Sequence, residues 1–157
     1  MKYSCKLTTL SVTQQLAVAI AKVIRPNLVL SLNGTLGAGK TTLVREILHA
    51  LNIVGNIKSP TFTLVEPYTV ANCNIYHFDL YRFSEPEEWF DLGFDEYFSG
   101  EFIAFIEWAE KATGLIPQLD WRIDIEFNEF NERLLTIRSL TVMGEECLTA
   151  LIKNVEN

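Results

Sequence analysis

Two apolar rhythms alternate along the chain. The first is helical. Leu16, Ile20, Val23 and Ile24 fall on one face at helical spacing, and Val44, Ile47, Leu48 and Leu51 repeat the i, i+3, i+4, i+7 pattern. Ser11-Val12-Thr13-Gln14 reads as a capping box opening the first of these helices, with Ser11 as N-cap, and Pro26 as its end. The second rhythm belongs to strands. Residues 27–33 and 102–106 are nearly continuous apolar runs, the mark of strands covered on both faces. Residues 121–127 (WRIDIEF) and 133–139 (RLLTIRS) alternate and are joined by a polar loop, which predicts an antiparallel hairpin. Residues 2–9, 61–65 and 74–80 are β-prone, and Pro67 and Asn72 between the last two suit a hairpin connection. Ser84-Glu85-Pro86-Glu87 opens a short helix to about Leu92, which Gly93 stops, and residues 143–155 read as a closing helix. The sum is one α/β domain over residues 1–157, without repeats or a linker.

Composition narrows the picture. Hydrophobic residues make up 48% and charged residues 21% of 157, which is a folded domain with a real core. The net charge of −7 and the lack of a basic run argue against a chain that grips nucleic acid alone. Three scattered cysteines and two histidines argue against a disulfide framework or a zinc centre and suit a reducing compartment. The N-terminal MKYSCKLTTL has no signal-like apolar core, and residues 16–24 carry Lys22 and are too short to span a bilayer. A cytoplasmic protein is the expectation.

The chemistry concentrates after the first buried strand. Gly34-Thr35-Leu36-Gly37-Ala38-Gly39-Lys40-Thr41-Thr42 matches the phosphate-binding loop, G-x-x-x-x-G-K-[ST], and lies between a buried strand and an amphipathic helix. Glycines allow consecutive N–H groups to turn toward one anion, and the helix N-terminus adds its positive end there. Lys40 supplies a point charge for the outer phosphates, and the Thr41 hydroxyl suits magnesium. The predicted nucleotide contacts are therefore Gly34, Leu36, Gly37, Ala38, Gly39, Lys40, Thr41 and Thr42. The loop does not distinguish hydrolysis from phosphoryl transfer or from switching.

Such a loop needs an acid at the carboxyl end of a neighbouring strand. Glu107 directly follows the run Phe102–Ile106. Asp79 shares a strand face with His77 in His77-Phe78-Asp79-Leu80-Tyr81-Arg82, unless it only pairs with Arg82 at a strand end. Ser59-Pro60-Thr61-Phe62 offers Thr61 as a switch-like ligand of metal and γ-phosphate. The metal candidates are Thr41, Thr61, Asp79 and Glu107; the catalytic candidates are Lys40, Asp79 and Glu107. The aromatic residues Phe83, Trp89 and Phe90 read as core rather than as a docking patch.

Taken in order, Leu36-Gly37-Ala38-Gly39-Lys40-Thr41-Thr42, Ser59-Pro60-Thr61-Phe62, His77-Phe78-Asp79-Leu80-Tyr81-Arg82 and Ile106-Glu107-Trp108 resemble the TsaE (YjeE) family, over about residues 11–138. The resemblance implies a single-domain P-loop NTPase-like three-layer α/β fold, a mixed sheet flanked by helices. It implies ATP and Mg2+ as cofactors, slow hydrolysis in isolation, and service to transfer-RNA threonylcarbamoyladenosine formation through TsaD and TsaB, with the RNA met only through those partners. It also implies Trp108 beside the nucleotide, and adenine held near Ser11 and Thr13 and by Arg133. Thr35 stands where the family often has an acidic residue; a side chain there mostly faces outward, so ATP binding is still expected. Two other readings stay open, a small-molecule P-loop kinase and a nucleotide-controlled switch without turnover. No arginine-rich lid favours the first, and the guanine-reading N-K-x-D pattern is absent.

Overall fold

The computed structural model describes residues 1–157. Seven strands form one mixed sheet: β1 (Lys2–Lys6), β2 (Leu28–Asn33), β3 (Val65–Val70), β4 (Cys73–Asp79), β5 (Phe102–Glu107), β6 (Trp121–Phe127) and β7 (Arg133–Ser139). Their order is β1-β7-β6-β2-β5-β4-β3. The helices are α1 (Leu10–Ala21), α2 (Lys40–Ala50), α3 (Glu88–Asp91) and α4 (Val142–Glu156), with single 3-10 turns at Phe94–Tyr97 and Ala109–Ala112. The central strand β2 runs parallel to both β5 and β6, and β4 runs parallel to β5. The outer pairs β1–β7, β6–β7 and β3–β4 are antiparallel.

The two-residue strand period divides the core. Leu28, Leu30, Leu32, Ile103, Phe105, Ile123 and Ile125 reach one face, where Leu16 and Ile20 of α1, Leu43 and Ile47 of α2, and Leu148 and Leu151 of α4 cover them. Val29, Ala104, Ile106 and Phe78 reach the other, against Trp89, Phe94, Ala109 and Ala112. On that second face the Phe78 ring lies 5.4 Å from Trp89 and 5.3 Å from Phe94, close enough for edge and tilted aromatic packing. Both Phe78 and Trp89 are fully buried, each worth about 1.5–3 kcal/mol by area. The second layer stops short of the outer strands. There Asp124 is held by Arg122 and Arg138, and Ser4 bonds Thr136, so that part of the sheet is polar.

Most predicted elements form, with shifts: β1 stops at Lys6 and not at residue 9, and α1 ends at Ala21, short of Pro26. Thr9, not Ser11, is the N-cap of α1: its hydroxyl accepts the Val12 N–H at 3.2 Å. Residues 61–64 form a turn, and the strand expected there begins at Val65 and runs through Pro67 to Val70. Proline is tolerated because β3 lies at the sheet edge. The expected cap at Ser84 is reversed, since the Glu88 carboxylate accepts the Ser84 and Glu85 N–H groups. Phe83 and Trp89 are buried as expected, whereas Phe90 is half exposed.

Candidate functional site

The parallel strands β2, β4 and β5 all end on one edge of the sheet. The chain leaves β2 at Asn33, turns through residues 34–39 and enters α2 at Lys40. Because β2 has β5 on one side and β6 on the other, connections diverge there and open a crevice at the strand ends. Gly37 (φ +78) and Gly39 (φ +108) occupy the left-handed region that the tight return demands. No side chain caps α2 at Gly39, so the first-turn N–H groups remain free to meet an anion.

Lys40 is only 5% exposed. Its ammonium donates to the carbonyls of Gly34 (2.7 Å) and Thr35 (2.9 Å) and stands 4.8 Å over the Trp108 ring. Burial lowers its pKa, and the carboxylates of Glu107, Asp79 and Glu110 oppose that shift. Trp108 itself is left-handed, at φ +58, an uncommon conformation for a bulky residue. Its ring packs 5.1 Å from Tyr81 as well as against Lys40.

The two acids are direct partners across the β4–β5 ladder, Asp79 opposite Glu107. Glu107 is 2% exposed. The Thr41 hydroxyl donates to its carboxylate, 3.1 Å from Oε1 and 2.9 Å from Oε2, which ties the first turn of α2 to the end of β5. His77 Nε2 reaches Glu107 Oε2 at 2.6 Å. Asp79 Oδ1 accepts the Tyr81 N–H at 3.0 Å. Burial pushes the Asp79 carboxyl up; the Tyr81 N–H draws it back, and Glu107 pushes it up further. Arg82 does not pair with Asp79; its guanidinium stacks 4.3 Å over Phe62. No group of three His, Cys, Asp or Glu side chains is placed to hold a metal by itself.

One cleft of about 490 Å³ collects nearly all the predicted positions. Residues Leu36 to Thr42 form its base, with Asp79, Glu107 and Trp108 at one end. Thr61 also lines it, its hydroxyl bonded to Ser59 at 2.7 Å. Thr13 lines the cleft together with Leu7 to Leu10; Ser11 does not, being exposed. Arg133 lies over the loop, donating to the Gly37 carbonyl at 3.4 Å, with its guanidinium 5.3 Å from the Phe127 ring. Gly34 is not among the residues lining this cleft; a Cβ on it would meet the β6 backbone at Ile125. Sequence reasoning missed the His77–Glu107 bond. The alternation of residues 77–80 put His77 on the correct face, but only the strand register brings it to Glu107.

The model of the family described as threonylcarbamoyl adenosine biosynthesis protein TsaE matches residues 7–135. The chain is 44% identical to the tRNA threonylcarbamoyladenosine biosynthesis protein TsaE of Haemophilus influenzae over 119 residues, covering 76% of this chain and 75% of that one. It is 37% identical to the Bacillus subtilis protein of the same description over 128 residues, 82% and 80% of the two chains. The crystal structure of YdiB from Bacillus subtilis superposes with a TM-score of 0.84 at 29% identity, over 100% of this chain and 97% of that one.

Proposed function

The chain belongs to the TsaE family of threonylcarbamoyl adenosine biosynthesis proteins, and from that premise we propose that it binds ATP with magnesium in the 490 Å³ cleft and hydrolyses it to drive a TsaD–TsaB partner complex. The observation that carries this reading is the Thr41–Glu107 bond directly beneath the glycine loop and Lys40. A hydroxyl, two carboxylates, one ammonium and free helix N–H groups fit a triphosphate with a hard cation. Magnesium is commonly held by one or two carboxylates and completed by phosphate oxygens and water, which agrees with the lack of an all-protein metal cluster.

When bound, magnesium neutralises charge on the outer phosphate oxygens. The rest falls to the chain. The loop N–H groups and the α2 N-terminus bind the phosphates without needing reorganisation. Lys40 exchanges the Gly34 and Thr35 carbonyls for phosphate oxygens, and the Trp108 face keeps its ammonium in place. Thr41 would offer its hydroxyl oxygen to the metal, since Glu107 accepts the hydroxyl hydrogen. Asp79 has Oδ1 committed to the Tyr81 N–H, which leaves Oδ2 to accept a proton from the attacking water. Arg133 adds a second positive charge over the loop. The transfer RNA is met through the partners, in keeping with a net charge of −7.

Calorimetry with ATP and GTP, followed by steady-state ATPase assays with and without purified TsaD and TsaB, tests this. ATP preference and partner-stimulated turnover are expected; tight GTP binding, or no nucleotide heat, would refute the reading. Glu107→Ala is expected to keep ATP binding in EDTA, to lose about 10–100-fold of the gain that magnesium gives, and to turn over about 10–100-fold more slowly. A fully active Glu107→Ala protein would transfer the whole catalytic role to Asp79.

A further inference from the structure

Beneath the cleft the polar set continues one residue further than nucleotide binding requires. His77 on β4 is 1% exposed, among the most buried polar side chains in the chain. Its Nε2 lies 2.6 Å from Glu107 Oε2, and its Nδ1 has no hydrogen-bond partner at all. A carboxylate only accepts, so Nε2 carries the hydrogen of this bond, while Nδ1 faces no partner. The ring therefore has one polar engagement in the protein, and that engagement is Glu107.

The second half of the argument is the asymmetry at Glu107. Thr41 donates almost evenly to the two oxygens, at 2.9 and 3.1 Å, and so does not choose between them. His77 bonds Oε2 alone. It is the contact that fixes the rotation of the carboxylate and leaves Oε1 with the greater spare acceptor capacity. We propose that His77 is a positioning residue: it orients the Glu107 carboxylate so that Oε1 is presented to the metal and its water. The inference rests on the nucleotide reading above and adds to it the residue that aims the acid. Partners behind a metal-side ligand typically change metal affinity or activity about 10–100-fold when removed.

A buried histidine that only fills space would act through stability, so the test reads metal dependence. ATP affinity is measured by calorimetry with magnesium and in EDTA for the wild type, His77→Leu, His77→Gln and His77→Asn. Leucine fills the volume without a donor. Glutamine sets an N–H near the Nε2 position, and asparagine sets one near Nδ1, on the wrong side. Magnesium should strengthen ATP binding in the wild type and in His77→Gln; in His77→Leu and His77→Asn that gain should fall about 10–100-fold. Affinity in EDTA should be the same in all four. In a Glu107→Ala background, His77→Leu should change nothing further. Equal magnesium gains in all variants, or equal losses in glutamine and asparagine, would overturn the proposal, and the glutamine–asparagine pair decides it if His77→Leu fails to fold. A wild type that binds no ATP would instead sink the nucleotide reading, and this inference with it.

Discussion

Gly34→Ala is expected to destabilise the protein far more than Gly37→Ala, although both glycines belong to one loop. Gly34 has φ +151, a region open to glycine and strained for other residues. A Cβ there would stand 2.5 Å from the Ile125 carbonyl oxygen and 3.0 Å from the Ala38 Cβ. The first of these is strand backbone in β6, which no rotamer change can move aside. The backbone conformation costs about 1–3 kcal/mol, and relieving the overlap costs about 1–3 kcal/mol more. Gly37, at φ +78, has nothing within 4 Å of its Cβ. Only the left-handed backbone term applies there, about 1–2 kcal/mol. For 157 residues, average unfolding entropies make 1 kcal/mol worth about 3 °C in Tm. Gly34→Ala should then melt about 6–18 °C below the wild type, and Gly37→Ala about 3–6 °C below. Circular-dichroism melts and urea titrations measure both. If Gly34→Ala melted no lower than Gly37→Ala, the close approach of Gly34 to β6 would not limit stability, and the reasoning would fail.

Three further outcomes follow from the same geometry. Lys40→Ala should weaken ATP binding by at least about 100-fold through loss of charge-assisted bonds, with little change in urea midpoint; an unchanged calorimetric Kd would count against Lys40 as the phosphate cation. Burial raises the Asp79 carboxyl, so its contribution to stability is complete below the unfolded value near 3.8 and is lost as pH climbs through the raised folded value. Asp79→Asn should therefore be more stable than the wild type at about pH 7, with the advantage shrinking toward about pH 4 in paired urea titrations. Thr9→Ala should cost about 0.5–2 kcal/mol as the true cap of α1, while Ser11→Ala should be nearly silent in the same denaturation assay.

Local signals are legible in the sequence. Alternation over residues 121–127 and 133–139 predicts the β6–β7 hairpin at its observed bounds, because with a polar loop it leaves one register that buries Ile123, Ile125, Leu135 and Ile137. The glycine loop was equally legible: its φ values are a property of the loop residues themselves. Competing local signals were harder. Thr9 and Ser11 are both good caps, and only the docking of α1 selects Thr9. Pro67 reads as part of the hairpin connection, and only the edge position of β3 lets it sit inside that strand.

The chain alone thus determined the periodic elements, the anion loop and the two acids that follow buried strands, since each depends on neighbours within a turn or two. Tertiary structure decided everything that depends on sheet order. It set Asp79 opposite Glu107 and brought His77 to Oε2 across 30 residues of sequence. It also laid Arg133 over a loop that lies 96 residues earlier. The physical reason is that hydrophobic spacing specifies which face of an element is buried, whereas the order and register of parallel strands are chosen by the packing of the whole sheet.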